Sequence, residues 1–341
     1  MKVLFATNMY PVPDRPSYGI FVKRQAEAVR ALGHEVDEWF IDGSRNALTY
    51  LAGFSRLARE THRFKPDLIH AHYGITGFIA AFPRSRLPLV VSLCGDDVLG
   101  APRRGGGITA KSRVIREMTR VACGRAAQII VKSREMGAIV ESWGLPAPHV
   151  IPNGVDLEFF APPASPADVL AARQRLGLDP HRKYILFPSH AWEHRKRVDL
   201  AEDVAARVRR AGVDAELLTI YHRSQETVAE YFRACDVMIL TSEWEGSPNV
   251  VKEAMAATLP SVAFDVGDME WLCGGTEFHR VVPRRDVDAM TREVLALLSR
   301  AGERGDGRDR IARLLSNERV ARQIDAVYRQ ALEARSGNGS R

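Results

Sequence analysis

Two glutamates close together in the chain, Glu245 and Glu253, are well suited to hold a polar ligand. A carboxylate accepts hydrogen bonds along several lone-pair directions, so it binds the hydroxyl groups of a sugar well. Glu245 stands in a loop just before a predicted helix, and Glu253 lies inside that helix, roughly 7–8 Å along the axis from its start. One carboxylate can therefore face the end of a bound ligand while the other reaches its middle.

A predicted strand, a short loop and a helix position these two carboxylates. The apolar run 236–240 predicts a buried strand. Ser247 is a good N-cap, Pro248 suits the first helical position, and apolar residues then recur at helical spacing. The start of a helix offers unpaired N–H groups and a partial positive charge, which favour a phosphate. A nucleotide sugar fits this arrangement, and a capped surface helix with two solvated glutamates is the alternative.

The segment Glu-Gly-Ser-Pro-Asn-Val-Val-Lys-Glu-Ala-Met-Ala, which starts at Glu245, resembles the signature of family-four retaining glycosyltransferases of GT-B fold. In that family the first Glu faces the donor sugar, the second binds the ribose hydroxyls, and the loop amides hold the diphosphate and donor sugar. The resemblance implies these roles for Glu245, for Glu253 and for the amides of segment 246–251, where Pro248 has no N–H to donate. The donor-binding residues that it implies in this segment are Gly246, Ser247, Asn249, Val250 and Val251.

A second match to the family lies in a basic loop after the first predicted strand of the second domain. The loop carries Arg195, Lys196 and Arg197, whose charges could neutralise a leaving diphosphate. In the family an Arg and a Lys of this loop do so, and Lys196 fits the Lys. Ser189 or His190 stands at the position of the Arg, which leaves its role to Arg195 or Arg197. We count His190 among the donor-binding residues, and a solvated loop is the alternative.

The N-terminal stretch predicts a β-α-β unit that lacks the G-x-G-x-x-G pattern. The runs 2–8 and 36–41 predict strands, and helical periodicity covers 20–32. Gly19, where the loop meets the helix, would let a ligand approach the backbone closely, although a tight-turn glycine is the commoner case. The family's first loop bears a glycine and lies over the donor phosphates, so the resemblance places Gly19 at the donor.

Polar residues also stand at the ends of two further predicted strands of the first domain. His72 ends one of them, where open α/β sheets bind ligands, and an ordinary structural histidine is the alternative. The next strand leads into a loop with Cys94, Asp96 and Asp97. Many family members have a His where Cys94 stands, near the reaction centre, and Cys94 cannot form the same hydrogen bonds. Backbone groups and Asp96 or Asp97 are therefore the alternative acceptor-side candidates. The predicted catalytic residues are Glu245, Lys196 and Asp96.

Composition and charge indicate a globular protein with an anionic partner. The 341 residues suffice for two domains, and no run of about 18 apolar residues predicts a transmembrane helix. The N-terminus turns polar too early for a signal peptide, and four scattered cysteines predict a reducing cytosol without a structural zinc or disulfide framework. The net charge of +6 suits a phosphate, a membrane surface or nucleic acid. Nucleic acid is disfavoured because no recognition-helix, zinc-finger or aromatic–basic signature is present.

The segment 103–134 is rich in basic residues, and Arg113, Arg116 and Arg120 recur at helical spacing. Such a face could bind anionic lipid, each charge near the surface contributing about 1 kcal/mol. A solvated helix face is the alternative. The hypothesis is a cytoplasmic protein in peripheral contact with the inner face of the cell membrane, where a lipid-linked glycan would be its acceptor.

The alternation of strands and helices, together with the resemblance, implies an α/β chain of GT-B fold. Two Rossmann-like domains are expected to face a central cleft: an acceptor-side domain of residues 1–160, joined by a helix at about 317–335 that crosses back, and a nucleotide-sugar-binding domain of residues 161–316. Residues 161–166 are predicted to be a linker.

The resemblance implies retaining transfer of a hexose from a UDP- or GDP-sugar to a hydroxyl acceptor, which would be a growing glycan, a glycolipid or a small molecule. The nucleoside diphosphate sugar would be the co-substrate, and no metal or other cofactor is expected, because no Asp-x-Asp pair lies in a plausible phosphate loop. Two other functions stay open. One is a sugar-nucleotide epimerase or isomerase of the same fold, and the other is a nucleotide-sugar binding protein without turnover.

Overall fold

The computed structural model describes residues 1–43, 46, 48–82, 87–101, 107–189, 194–221, 223–300 and 302–338, with side chains up to residue 334. The chain divides into two compact units, each with a parallel sheet, which confirms the predicted fold class of two α/β domains. Unit 1 comprises Met1–Asp14, Tyr18–Gly154 and Asn317–Arg341, and unit 2 comprises Arg15–Ser17 and Val155–Ser316.

The strands are β1 (Lys2–Thr7), β2 (Glu35–Phe40), β3 (Leu68–His72), β4 (Leu89–Ser92), β5 (Gln128–Val131), β6 (His149–Val150), β7 (Lys183–Phe187), β8 (Ala215–Thr219), β9 (Val237–Leu240), β10 (Ser261–Phe264) and β11 (His279–Val282). The helices are α1 (Ile20–Ala31), α2 (Thr49–Phe64), α3 (Gly74–Ala80), α4 (Ala110–Cys123), α5 (Arg134–Ser142), α6 (Pro166–Leu176), α7 (Val198–Arg210), α8 (Gln225–Ala234), α9 (Asn249–Ala256), α10 (Met269–Cys273), α11 (Val287–Ser299), α12 (Arg308–Leu315) and α13 (Asn317–Asn338). A 3-10 turn at His194–Lys196 precedes α7.

The sheet of unit 1 has the strand order β2-β1-β3-β4-β5-β6, and its pairs are parallel. β3 and β4 are buried along their whole length, because helices cover both faces of a parallel sheet. The C-terminal helix α13 completes this unit. Its Tyr328 is fully buried, with the hydroxyl 2.7 Å from Nδ1 of His70. The predicted return of the last helix to the first domain is thereby confirmed.

The sheet of unit 2 has the strand order β11-β10-β9-β7-β8, again with parallel pairs. β9 lies at its centre and is buried throughout, so the loop that follows it emerges at the carboxyl edge of the sheet. No element is predicted for residues 167–176, but they continue the helix α6 that starts at Pro166. A capping box stabilises its start: the Ser165 hydroxyl accepts from the Asp168 N–H, and the Asp168 carboxylate accepts from the Ser165 N–H.

Candidate functional site

In unit 2, the loops that follow β7 and β9 are joined by hydrogen bonds. These strands are neighbours, and the carboxyl ends of adjacent parallel strands meet at the edge where open α/β sheets bind ligands. The hydroxyl of Thr241 donates to the carbonyl oxygens of Lys196 at 2.8 Å and Arg197 at 2.9 Å. The N–H of Glu243 donates to the carbonyl oxygen of Arg195 at 2.8 Å. The acidic loop after β9 and the basic loop after β7 therefore form one structural element.

Glu245 is the centre of this element and is only 8% exposed. Its carboxylate accepts from Nζ of Lys196 at 2.6 Å and from the Ser242 hydroxyl at 2.7 Å, and it lies 2.8 Å from Nη1 of Arg195. Burial by itself would raise the pKa of Glu245, but the charges of Lys196 and Arg195 outweigh burial and lower this pKa to about 2. Glu245 is consequently an ionised hydrogen-bond acceptor at neutral pH, held beside two cations.

The structure thus brings together three of the predicted donor-side residues and directs a fourth elsewhere. Arg197 pairs with Asp199 at 2.6 Å and with Glu243, rather than with Glu245. Glu243 also binds Arg285, at 2.8 Å between Nη2 and Oε2. Of the two candidates for the role of the family's arginine, Arg195 is therefore the one that contacts Glu245. The contacts of Ser242 and Glu243 were not predicted from the sequence.

The start of helix α9 differs from the prediction by one residue. The helix begins at Asn249, and Pro248 is its N-cap, with an extended ψ of 116°. The predictions that Ser247 caps the helix and that Pro248 is its first residue are therefore wrong. The Ser247 side chain does not cap the helix, because the helical conformation starts only after the proline. The N–H groups of Asn249, Val250 and Val251 belong to the first turn, where helical N–H groups have no partner within the helix.

Two charged residues that were not predicted to belong to the site, Lys252 and Asp268, lie close to this helix start. Lys252 is fully buried, and its Nζ donates to the Ser247 carbonyl oxygen and to Oδ1 of Asn249, both at 3.3 Å. Burial raises the pKa of Asp268 to about 6, against the charge of Lys252, which lowers it. The helical spacing was an available signal for Lys252, because it lies three positions before the buried Met255.

The loop that carries Asp268 packs directly on the loop that carries Glu245. A Cβ atom added to Gly267 would lie 2.4 Å from the Gly246 carbonyl oxygen and 2.5 Å from the Glu245 carbonyl oxygen. Gly267 also has a φ of 61°, in the left-handed region that favours glycine. Glycine at this position therefore allows the two loops to pack closely, so that the backbone of residue 267 contacts the backbone of residues 245 and 246. Glu253 lies half-buried on α9.

Two predicted donor-binding residues, Gly19 and His190, are not part of this group of contacts in unit 2. Gly19 belongs to unit 1, where it precedes α1 with a φ of 67°, and an added Cβ would lie 2.2 Å from the carbonyl carbon of Met9. This contact explains a glycine without any ligand, so a role of Gly19 in donor binding stays a prediction. His190 lies outside the described residues.

In unit 1, the acceptor-side candidates lie at the carboxyl ends of β3 and β4. Asp97 is fully buried and accepts from the N–H groups of Gly74 at 3.0 Å, Cys94 at 3.0 Å and Gly95 at 2.8 Å. Burial raises the pKa of Asp97 to about 6, and the backbone N–H groups act to lower it. Asp97 therefore stabilises the loop after β4 through these backbone hydrogen bonds, whereas the side chain of Asp96 is exposed.

His72 is fully buried, and its Nε2 lies 2.6 Å from Oε1 of Gln25. The Cys94 thiol donates to the Ser92 carbonyl oxygen at 3.6 Å, and burial raises its pKa well above the ordinary value. Both residues occupy the predicted edge of the sheet, and each has protein partners there. Their part in acceptor binding stays a prediction.

Family comparison decides the class of protein. The family described as Glycosyltransferase Family 4 matches residues 10–159, and the family described as Glycosyl transferases group 1 matches residues 201–300. This chain belongs to glycosyltransferase family 4. The predicted family is confirmed, and the chain is a glycosyltransferase with the two α/β domains of the GT-B fold.

The relatives of this glycosyltransferase include two bacterial transferases. It is 29% identical over 321 residues to a D-inositol 3-phosphate glycosyltransferase of Xylanimonas cellulosilytica, with 82% of this chain and 76% of the relative covered. It is 27% identical over 237 residues to a lipopolysaccharide core biosynthesis mannosyltransferase of Rhizobium meliloti, with 57% of this chain and 66% of that protein covered. Its fold is similar to that of Anabaena HepE in complex with UDP, with a TM-score of 0.73, 16% identity, and 96% of this chain and 99% of HepE covered.

Proposed function

We propose that this glycosyltransferase moves a hexose from a nucleoside diphosphate sugar to a hydroxyl group of a glycan or glycolipid, with retention of anomeric configuration. The observation that carries the proposal is the contact of Glu245 with Lys196 and Arg195, a few residues before the start of α9. Two cations and a helix start suit a diphosphate. An ionised carboxylate between them suits the hydroxyl groups of the sugar that the diphosphate carries.

In the proposed reaction the bond between the anomeric carbon and the diphosphate oxygen breaks, and the acceptor oxygen bonds to the same face of the sugar. The acceptor proton passes to the departing phosphate oxygen. Lys196 and Arg195 stabilise the charge on that oxygen without a metal ion, because two cations paired with one carboxylate leave one net positive charge. Glu245 keeps its negative charge at neutral pH, so it orients the donor and supports positive charge at the anomeric carbon.

The donor is proposed to bind to unit 2 along the segment from Glu245 to Glu253. The diphosphate contacts the N–H groups at the start of α9, and Glu253 accepts from the ribose hydroxyls. The complex of HepE with UDP supports a uridine nucleotide as the first probe. GDP-sugars remain the alternative, because a carboxylate that binds the ribose does not distinguish between bases.

The acceptor is proposed to meet unit 1, where Asp96 is the exposed carboxylate of the loop after β4. The names of the two relatives, which specify lipopolysaccharide core and D-inositol 3-phosphate, support a hydroxyl acceptor. A carboxylate there accepts a hydrogen bond from the attacking hydroxyl and orients it.

Helix α4 supports a further partner, an anionic lipid surface. Its exposed residues include Lys111, Arg113 and Arg120, and the exposed Val114 and Val121 lie between these cations on the helix surface, at 61% and 39% exposure. Apolar side chains flanked by basic ones are typical of helices that lie in a membrane interface. Residues 103 and 104 of the predicted basic segment lie outside the described residues.

Among the described residues, no helix has the length and apolar character needed to cross a bilayer. Contact through α4 is tested by co-sedimentation with phosphatidylcholine vesicles with and without phosphatidylglycerol. Wild type should sediment with the anionic vesicles, and a double variant with Arg113→Gln and Arg120→Gln should do so several-fold less. The exposed pair Arg322→Gln and Arg329→Gln on α13 is the control. Equal sedimentation with both kinds of vesicle would contradict the contact.

The donor is tested by thermal shift with UDP-glucose, UDP-galactose, UDP-N-acetylglucosamine and GDP-mannose, because a ligand that binds only the folded state raises the melting temperature. One of these should raise it, and Lys196→Met should reduce that shift. Nucleoside diphosphate release that depends on added glycan acceptor supports transfer. Conversion of one nucleotide sugar into another without release would instead indicate an epimerase, and binding without either reaction a non-catalytic protein.

A further inference from the structure

Lys132, which follows β5 in unit 1, is a buried lysine with few partners. It is 2% exposed, and its Nζ donates to the carbonyl oxygen of Ile151 at 3.4 Å. An ammonium group has three N–H donors, and no described carboxylate forms an ion pair with this one. Burying a charge without close partners costs folding free energy, so a buried lysine of this kind requires an explanation.

The sheet register places Lys132 at the acceptor-side edge of unit 1. Ser92 of β4 is paired with Ile130 of β5, so Cys94 and Lys132, each two residues further on, reach the same level. Side chains two apart in a strand lie on one face, and the contact of 2.9 Å between His70 Nε2 and the Ser92 hydroxyl confirms that face. A layer of polar side chains therefore follows the carboxyl ends of three adjacent strands.

The pKa shifts of neighbouring side chains agree with a position of Lys132 at this edge of the sheet. Behind the larger effect of burial, the charge of Lys132 contributes to lowering the pKa of both His70 and His72. It also acts to lower the pKa of the Cys94 thiol, which burial and Asp97 raise. Burial lowers the pKa of Lys132 itself, and Cys94 and Asp97 counteract this. The ammonium therefore acts on the loop that carries Cys94 and Asp97.

The same layer contains a second buried ionisable side chain, His72. Its ring is fully buried, and its Nε2 lies 2.6 Å from Oε1 of Gln25. Burial lowers the pKa of His72 well below its ordinary value, so the imidazole is neutral at pH 7. Buried polar side chains at the carboxyl edge of a parallel sheet are typical of ligand-binding sites. Lys132 and His72 therefore lie together at the edge where such sheets bind ligands.

We propose that Lys132 is a positioning residue for sugar transfer: its buried charge acts through the Cys94–Asp97 loop to orient the acceptor hydroxyl and favour the negative charge that develops on its oxygen. This inference rests on the proposed function. Asp97 is engaged by backbone N–H groups and the Cys94 thiol is neutral, so Lys132 supplies the positive charge in this layer. The proton itself leaves with the diphosphate, as in the proposed reaction, and Lys132 exchanges none.

The test compares Lys132→Met, which keeps the length of the side chain without its charge, with Lys132→Arg, which keeps a charge. Lys23→Met on α1, at a half-exposed side chain in the same unit, is the control. Lys132→Met should keep or raise the melting temperature, because a poorly paired buried charge is removed. It should also keep the thermal shift with UDP, which is proposed to bind in unit 2. Its kcat for UDP release from UDP-glucose in the presence of a glycan acceptor should fall at least tenfold, and Lys132→Arg should recover part of this loss.

A second measurement does not depend on turnover. Carbamidomethylation of Cys94 by iodoacetamide, followed by peptide mass spectrometry, should slow several-fold in Lys132→Met, because the thiolate loses a stabilising charge. An unchanged rate, or a fall in melting temperature that accompanies the loss of activity, would overturn the inference in favour of a structural lysine. Release by wild type and Lys132→Met at equal rates would overturn the inference alone. Absence of any nucleotide-sugar binding by wild type would overturn the proposed function as well.

Discussion

Glu245 and Lys196 form an ion pair, with 2.6 Å between Oε1 and Nζ. The donor-side carboxylate and the cation proposed for the leaving group are thus in direct contact. Because Arg195 is a second cation on the same carboxylate, the pair is a preorganised arrangement that needs little rearrangement to receive a diphosphate.

Replacement of Glu245 by Gln tests the need for a negative charge at this position. The amide has almost the same shape, but it neither balances Lys196 and Arg195 nor supports positive charge on the sugar. We expect kcat to fall about 100-fold or more, as for other preorganised electrostatic groups, with a smaller change in KM. Steady-state release of the nucleoside diphosphate measures both. Retention of more than half of the wild-type kcat would exclude the electrostatic role of Glu245.

The same substitution should change the acid stability of unit 2. The pKa of Glu245 lies near 2, below its ordinary value of 4.5, so its ionised form stabilises the folded state above about pH 4.5. This contribution, on the order of 2–3 kcal/mol, is lost as the pH falls through the range from 4.5 towards 2. Urea denaturation at a series of pH values should therefore show a steeper acid loss for wild type than for Glu245→Gln.

Asp268 should give a pH dependence of the opposite sign. Burial raises its pKa from 3.8 to about 6, so the folded state pays for ionisation as the pH rises through this range. Asp268→Asn removes that cost, and we expect it to stabilise the protein by about 1–3 kcal/mol at pH 8 and hardly at all below pH 4. The exposed Asp265→Asn of the same loop is the control in urea denaturation. A gain that does not vary with pH would show that ionisation is not its cause.

The strand, loop and helix around Glu245 could be predicted, because apolar periodicity and short connections are local properties of the sequence. The helix start could be predicted only to within a residue, since both Ser247 and Pro248 are acceptable at more than one position there. Helix α6 was not predicted, because the Pro- and Ala-rich residues before it indicated a linker. The spacing of Ser165 and Asp168 in the sequence nevertheless matches a capping box, which is a signal for the start of a helix.

The burial of three charged residues, one in unit 1 and two in unit 2, could not be predicted from the sequence. Lys132, Lys252 and Asp268 look like surface residues in a sequence, since such side chains are rarely buried. Their burial results from the packing of segments far apart in the chain, such as the loops after β9 and β10. Pairwise proximity in space, as between Glu245 and Arg195, likewise follows from the order of strands in the sheet rather than from local pattern.

Tyr328 tests how α13 is held in unit 1. Its hydroxyl lies 2.7 Å from His70 Nδ1, and both side chains are fully buried. Tyr328→Phe leaves the histidine nitrogen without this partner, which should destabilise the protein by about 1–3 kcal/mol. Urea denaturation measures the loss, and Tyr221→Phe in unit 2, at a side chain that is 46% exposed, is the control. Equal stability of the two variants would show that the contact with His70 contributes nothing.

Gly267 tests whether the backbone behind Glu245 must stay where it is. Alanine at this position would place its Cβ 2.4 Å from the Gly246 carbonyl oxygen, so the donor-side loop would have to move. We expect Gly267→Ala to raise KM for the nucleotide sugar about tenfold or more and to weaken its thermal shift, because small displacements of a preorganised site are costly. Gly275→Ala is the matched control, since Gly275 has a φ of 78° but an added Cβ there has no atom within 4 Å. Both variants suffer the same backbone strain, of about 1–2 kcal/mol, and only Gly267→Ala adds the clash. If the two variants bind the donor equally well, the position of the Gly246 backbone does not matter for binding, and the diphosphate must be held by other groups.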